Sequence, residues 1–168
     1  MATAATLVSV LSACSNDGPE REYAIPATLC GTAIDSDDLA PFLPAGKDIS
    51  VKGDSRSGIK DCEVVIDNVL VVTTTQAWLE DGRTTAYFAS GKTLDTPTHS
   101  ANGGRFQYSG REAFGKTRNC IDAKYRQELY TAVQAQGSKH TDADAMKRLI
   151  ISYTSEVETS AECTGGAQ

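Results

Sequence analysis

No stretch of this 168-residue sequence is both long and apolar enough to span a bilayer, which takes about twenty apolar residues in a helix. Basic residues are scattered rather than gathered into a stripe, and the net charge is -6, which argues against nucleic acid as a partner. The same balance gives anionic lipid headgroups nothing to attract. Histidine occurs twice, as His99 and His140, and tryptophan once, as Trp78. The chain has no Gly-x-Ser-x-Gly elbow and no Gly-x-Gly-x-x-Gly turn. No Cys-x-x-Cys pair is present, which removes a thioredoxin-type redox site and a zinc knuckle.

What is present begins at the N-terminus. An apolar run, residues 2–10, leads into Leu11-Ser12-Ala13-Cys14, and a polar stretch follows over residues 15–22. The tetrad resembles a bacterial lipobox, in which a peptidase cuts before an acylated cysteine. Small Ser12 and Ala13 let the chain lie extended at the cut, Leu11 fills an apolar subsite, and Cys14 supplies the thiol that takes the lipid. Residues 1–13 then read as a lipoprotein signal peptide. A signal peptide normally opens with Lys or Arg, and residues 1–6 carry neither, so the true start is expected upstream. The competing reading is a buried N-terminal helix or strand with an incidental cysteine.

Without the leader about 155 residues remain, enough for one domain with one core. Besides Cys14 there are four cysteines: Cys30, Cys62, Cys120 and Cys163. Outside the cytoplasm an even set reads as two disulfides. The domains expected are a flexible lipidated tether at 14–22, a folded unit at 23–163 and a disordered tail at 164–168.

Along that unit, Asp35 or Ser36 caps a short helix kept short by Pro41 and Pro44. Residues 49–52 read as a strand and 53–60 as a loop. The β-branched runs 62–66 and 69–75, parted by Asp67-Asn68, predict a hairpin. Residues 84–90 suit a short helix and 95–104 a loop. Further strands are expected near 106–108, 113–120 and 129–136, with a connection over 121–125. Met146, Leu149, Ile150, Tyr153 and Val157 recur at helical spacing, predicting a helix over about 142–161 capped by Thr141 with Asp144 three residues on. The whole predicts an α+β domain: an antiparallel sheet with helices on one face, built from a duplicated ββα unit.

The strand ending near 136 runs out and the last helix runs back. About ten strand residues and about twenty helical residues cover similar lengths, roughly 33 and 30 Å. This return places Cys163 beside Cys120 and leaves Cys30 for Cys62.

Candidate chemistry is sparse. Asp35, Asp37, Asp38, Asp142 and Asp144 suit helix capping rather than a calcium loop, which needs six or more oxygens. Trp78, at a strand end, and His99, in a polar loop, are the candidate binding residues; a Trp packed on the core rim and a solvated His are the plainer readings. No residue is assigned to catalysis or to a metal, and no cofactor is implied. The lipobox, Cys30-Gly31 before the acidic helix, Pro44-Ala45-Gly46-Lys47, Cys62 opening a hairpin and the terminal Cys163 together resemble small secreted lipoproteins of actinobacteria, a family defined only as a domain of unknown function. The resemblance implies an extracytoplasmic membrane anchor and an α+β domain, and it brings no catalytic residues. The functional expectation is a lipid-anchored, non-enzymatic binding module. Its partners would be the membrane, through lipid on Cys14, and an unidentified envelope protein or small ligand. A small-ligand-binding lipoprotein is the alternative, and a cell-envelope hydrolase ranks behind both.

Overall fold

A computed structural model describes residues 20–137 and 139–165. The expected leader, Cys14, residues 15–19 of the tether and residues 166–168 of the tail lie outside the described residues. The fold is α+β, with strands β1 (Thr28–Leu29) and β2 (Thr32–Ala33), helix α1 (Ser36–Leu39), strands β3 (Ile49–Arg56), β4 (Ile59–Ile66) and β5 (Val69–Glu80), and helix α2 (Thr85–Lys92). Strands β6 (His99–Ala101), β7 (Phe106–Tyr108), β8 (Glu112–Asp122) and β9 (Gln127–Ala135) follow, then helices α3 (Ala143–Glu158) and α4 (Ala161–Gly165). One antiparallel seven-stranded sheet runs in the order β3-β4-β5-β9-β8-β7-β6.

Two three-strand meanders, β3-β4-β5 and β7-β8-β9, thus meet where β5 lies against β9. The expected duplication holds for the strands. It does not extend to the helices, and here the one-face expectation is corrected. Helix α3 packs through Met146, Leu149, Ile150, Tyr153 and Val157 on one face, joined by Leu39 and Phe42. Helix α2 packs through Phe88 and Ala89 on Phe114, Tyr130 and Ala132, which alternate with Ala113, Leu129 and Val133 and so belong to the opposite face. Each fully buried aliphatic side chain removed from water contributes about 1.5–3 kcal/mol, so neither face is expendable. At Gly115 on β8, an added Cβ would come within 2.8 Å of Thr131 Oγ1 and of Thr154 Oγ1 on α3. Only a residue without a side chain lets the helix lie that close.

The hairpin at Asp67-Asn68 is as expected. Both residues have positive φ, 47° and 67°, which matches the twist of a two-residue turn. Residues 53–60, expected as a loop, are instead the paired outer ends of β3 and β4, turning at Ser57-Gly58. Their glycine and charge suit an exposed edge strand, which those residues protect from further pairing. The 95–104 loop likewise contains the short edge strand β6. Strand β8 continues past Cys120 to Asp122 through a bulge, with Asn119 at φ 61°. At α3 the cap is Asp142 rather than Thr141: its carboxylate accepts from the N–H groups of Asp144 and Ala145 at 2.9 and 3.0 Å. The helix also stops at Glu158, and Cys163 sits on the separate α4. At the other end, residues 21–22 belong to the domain, not to a tether. Arg21 donates to the carbonyls of Ala40 and Leu43, and Glu22 N donates to Gly46 O.

The two disulfides are Cys30–Cys62 and Cys120–Cys163, with Cα separations of 5.9 and 4.7 Å. The first ties the small β1–β2 hairpin to β4, and the second ties α4 to β8. Gly115→Ala should destabilise the domain by about 1–3 kcal/mol, the usual cost of overpacking. Urea unfolding that leaves the midpoint unchanged would show that α3 can back away from β8.

Candidate functional site

A cleft of about 330 Å³ opens at one end of the sheet. Four pieces of chain meet there, each brought by a different constraint. The β1–β2 turn supplies Gly31 and Thr32, and both turn residues have positive φ (Cys30 48°, Gly31 88°). Cys30 holds this conformation while bonded to Cys62, and Gly31 adopts it at no steric cost. The β3–β4 turn supplies Arg56, Gly58 and Lys60, β5 supplies Trp78, and α4 supplies Ala161 and Glu162.

Trp78 is 5% exposed, with Nε1 donating to Glu162 Oε1 at 3.3 Å and its backbone N–H donating to Gly58 O at 2.8 Å. It is therefore a wall of the core and of the cleft together, not the exposed contact its position suggested. His99 is exposed on edge strand β6 and stacks on Tyr108 with centroids 5.3 Å apart. Three strands, β9, β8 and β7, lie between β5 and β6 at about 4.8 Å per step, so the structure does not bring His99 and Trp78 together. His140 is half-buried with its ring edge-on to Phe42.

Behind the cleft lies a buried polar network. Gln76 Nε2 donates to Thr32 Oγ1 at 2.9 Å and to Tyr153 Oη at 3.0 Å, and Tyr153 Oη bonds Thr74 Oγ1 at 3.2 Å. Gln76 Oε1 is buried and finds no hydrogen-bond partner among the described residues. Burial, opposed only in part by the bonds to Thr74 and Gln76, raises the Tyr153 hydroxyl above the usual phenol range. Asp67 and Asp142 shift the other way, held low by the N–H groups of Asp48 and Lys47 and of Ala145 and Asp144 respectively.

Lys60 and Glu162 are the residues that sequence reasoning missed. Lys60 faces Gln76 across the β4–β5 ladder, on the α3 side of the sheet. Asp54 and Asp61 project to the other side, where Asp61 accepts from Thr75 and pairs with Lys92 at 3.6 Å. Lys60 and Glu162 are both half-buried, and neither forms an ion pair, with the other or with any other charge, among the described residues. Strand alternation could have assigned Lys60 to this face only once residues 53–60 were read as strand. Glu162 reaches the cleft only through the Cys120–Cys163 bond.

Among the described residues no group of three or more His, Cys, Asp or Glu is placed to hold a metal ion, and no helix is long and apolar enough to cross a membrane. No family model, curated protein or solved structure matches the chain.

Trp78→Ala should cost about 3–5 kcal/mol of stability, as for other buried aromatics. A melting temperature near that of the parent would mean that the surroundings collapse onto the gap. For Tyr153, the unfolded chain loses its proton first once pH passes about 10, so stability falls as pH rises from there. Tyr153→Phe should remove up to about 1.4 kcal/mol per pH unit from that alkaline slope. Denaturant titrations above pH 10 with an unchanged slope would locate the effect in another group.

Proposed function

We propose that the protein is a lipid-anchored, extracytoplasmic binding module without catalytic activity, which presents its recognition surface at the end of the sheet farthest from the membrane. The observation that carries this reading is the placement of the two ends. The described chain enters where Arg21 bridges to Gly46, beside Asp48 and the Asp67-Asn68 turn. The cleft opens at the opposite end of β3, seven residue steps and about 24 Å away. A lipid on Cys14 would hold the first end near the bilayer and leave the cleft facing outward. Ile121 and Tyr125, 59% and 55% exposed, lie at the β8–β9 turn on the same outward end. Two acyl chains give a stable anchor where one is marginal. Support also comes from the Leu11-Ser12-Ala13-Cys14 tetrad, from the two disulfides, which suit an oxidising compartment, and from the resemblance to actinobacterial lipoproteins.

The cleft favours a second reading, that the thing bound is a small ligand rather than a protein. Its volume is at the lower end of the range for ligand pockets.

Intact-mass analysis of the membrane-bound protein should find Cys14 acylated, and Cys14→Ser should release the chain from the membrane or leave it unprocessed. An unmodified Cys14 in membrane-bound protein ends the anchoring proposal. In the lipidated protein on vesicles, a photo-crosslinking residue at Asn68 should label lipid, and one at Tyr125 should not. Lipid labelling from Tyr125 would reverse the orientation.

A further inference from the structure

We infer that the cleft binds a small zwitterion carrying one ammonium and one carboxylate, of the kind presented by a free amino acid or by a short peptide with both ends unblocked. The inference rests on the binding-module reading and supplies its ligand class. Lys60 and Glu162 line the same cavity of about 330 Å³, Lys60 from the β3–β4 hairpin and Glu162 from α4. Each is partly withdrawn from water, and neither is neutralised by a charge among the described residues. Withdrawing a charge from water without a partner is unfavourable, and the remedy is a counter-charge within reach. Two opposite charges that face one cavity yet do not pair with each other leave room for one molecule to satisfy both. Its carboxylate would meet Lys60 and its ammonium would meet the Glu162 oxygen that Trp78 does not engage. Glu162 Oε1 accepts from Trp78 Nε1 at 3.3 Å, which leaves its other oxygen for a ligand.

The rest of the wall suits the body of such a molecule. Trp78 offers an aromatic surface, and Gly31 and Gly58 let the backbone approach closely, each with positive φ. Arg56 is already engaged by Asp54 at 3.2 Å and Asp61 at 3.4 Å, so the anion-accepting role falls to Lys60. A site with both charges fixed should reject ligands that carry only one, because the remaining protein charge stays unpaired on binding.

Trp78 is the sole tryptophan and lines the cleft, so its fluorescence reports occupancy directly. The full chain carrying Cys14→Ser would be titrated with L-leucine, L-leucyl-L-leucine, N-acetyl-L-leucine and L-leucinamide. The zwitterions should give a saturable change, with N-acetyl-L-leucine and L-leucinamide weaker by about ten-fold or more. Tighter binding of the dipeptide would assign the site to peptides, and tighter binding of leucine to free amino acids. Lys60→Met should abolish the preference for leucine over leucinamide, and Glu162→Gln the preference for leucine over N-acetyl-leucine. Both residues are half-buried, and Glu162→Gln keeps an acceptor for Trp78 Nε1, so circular dichroism and thermal melting would verify the fold of each variant. Equal affinity for N-acetyl-leucine and leucine would overturn the proposal in favour of a simple anion site. No saturable signal from either zwitterion at concentrations up to about 10 mM would overturn it outright. In either case lipid on Cys14 and the crosslinking pattern from Asn68 and Tyr125 would be unaffected, so the failure would fall on the ligand class alone.

Discussion

Everything in this domain depends on the pairing of β5 with β9. Nine register pairs, from Val72–Ala135 to Glu80–Gln127, join two meanders that are otherwise separate in sequence. The contact is non-local, so its loop-closure entropy must be met before any of its hydrogen bonds form. Its register is also strictly set. A slip of one residue would turn Gln76 and Thr74 away from Tyr153 and bring Thr75 and Ala77 toward the α3 face. The buried bonds among these residues act as a key: they add little net stability, but in a wrong register the same groups would be buried unsatisfied.

The cleft sits at the margin of this frame and is built from its weakest parts. The β1–β2 hairpin has two residues in each strand, and α4 has five residues, none buried. The hairpin buries Leu29 and Thr32 against the frame, whereas α4 buries nothing. Each is attached by a disulfide, Cys30–Cys62 for the hairpin and Cys120–Cys163 for α4, and in the chain-entropy account loops of this length contribute about 4 kcal/mol apiece. The bulge between Lys116 and Ile121 brings Cys120 to a fully buried position from which it reaches α4. Hydrophobic burial holds the frame, and around the cleft covalent links add to it, most of all at α4.

Much of the frame was legible in the sequence because it follows short-range rules. The run of β-branched residues around Asp67-Asn68 could only be a tight hairpin, and the spacing from Met146 to Val157 fixed the buried stripe of α3. The disulfide pairing was legible too, since strand length and helix length set where the chain returns. What could not be read was which face of the sheet each helix would take. Phe88 and Ala89 look like any apolar pair, and only the parity of Phe114 and Tyr130 on their strands assigns them to the side away from α3. The strand at 53–56 was hidden because an edge strand is polar by necessity, and 59–60 across the turn went with it. With them went Lys60, and the cleft was invisible as a result. Asp142 took the capping role from Thr141 by a shift of one residue, which side-chain reach decides and pattern does not.

The central pairing also sets a timetable. A chain made from its N-terminus completes β5 at Glu80, but β9 ends only at Ala135, some 55 residues later. An exported chain folds as it emerges across the membrane, N-terminus first, so there is an interval in which β5 is out and β9 is not. Through it the inner edge of β5, including the stretch from Val71 to Thr75, has no strand beside it, and the apolar underside that α3 will cover is open. Such an edge recruits any extended segment that passes. The N-terminal meander is thus the part of the nascent protein most in need of a holding chaperone, and it stops being a hazard only when the final third of the chain arrives.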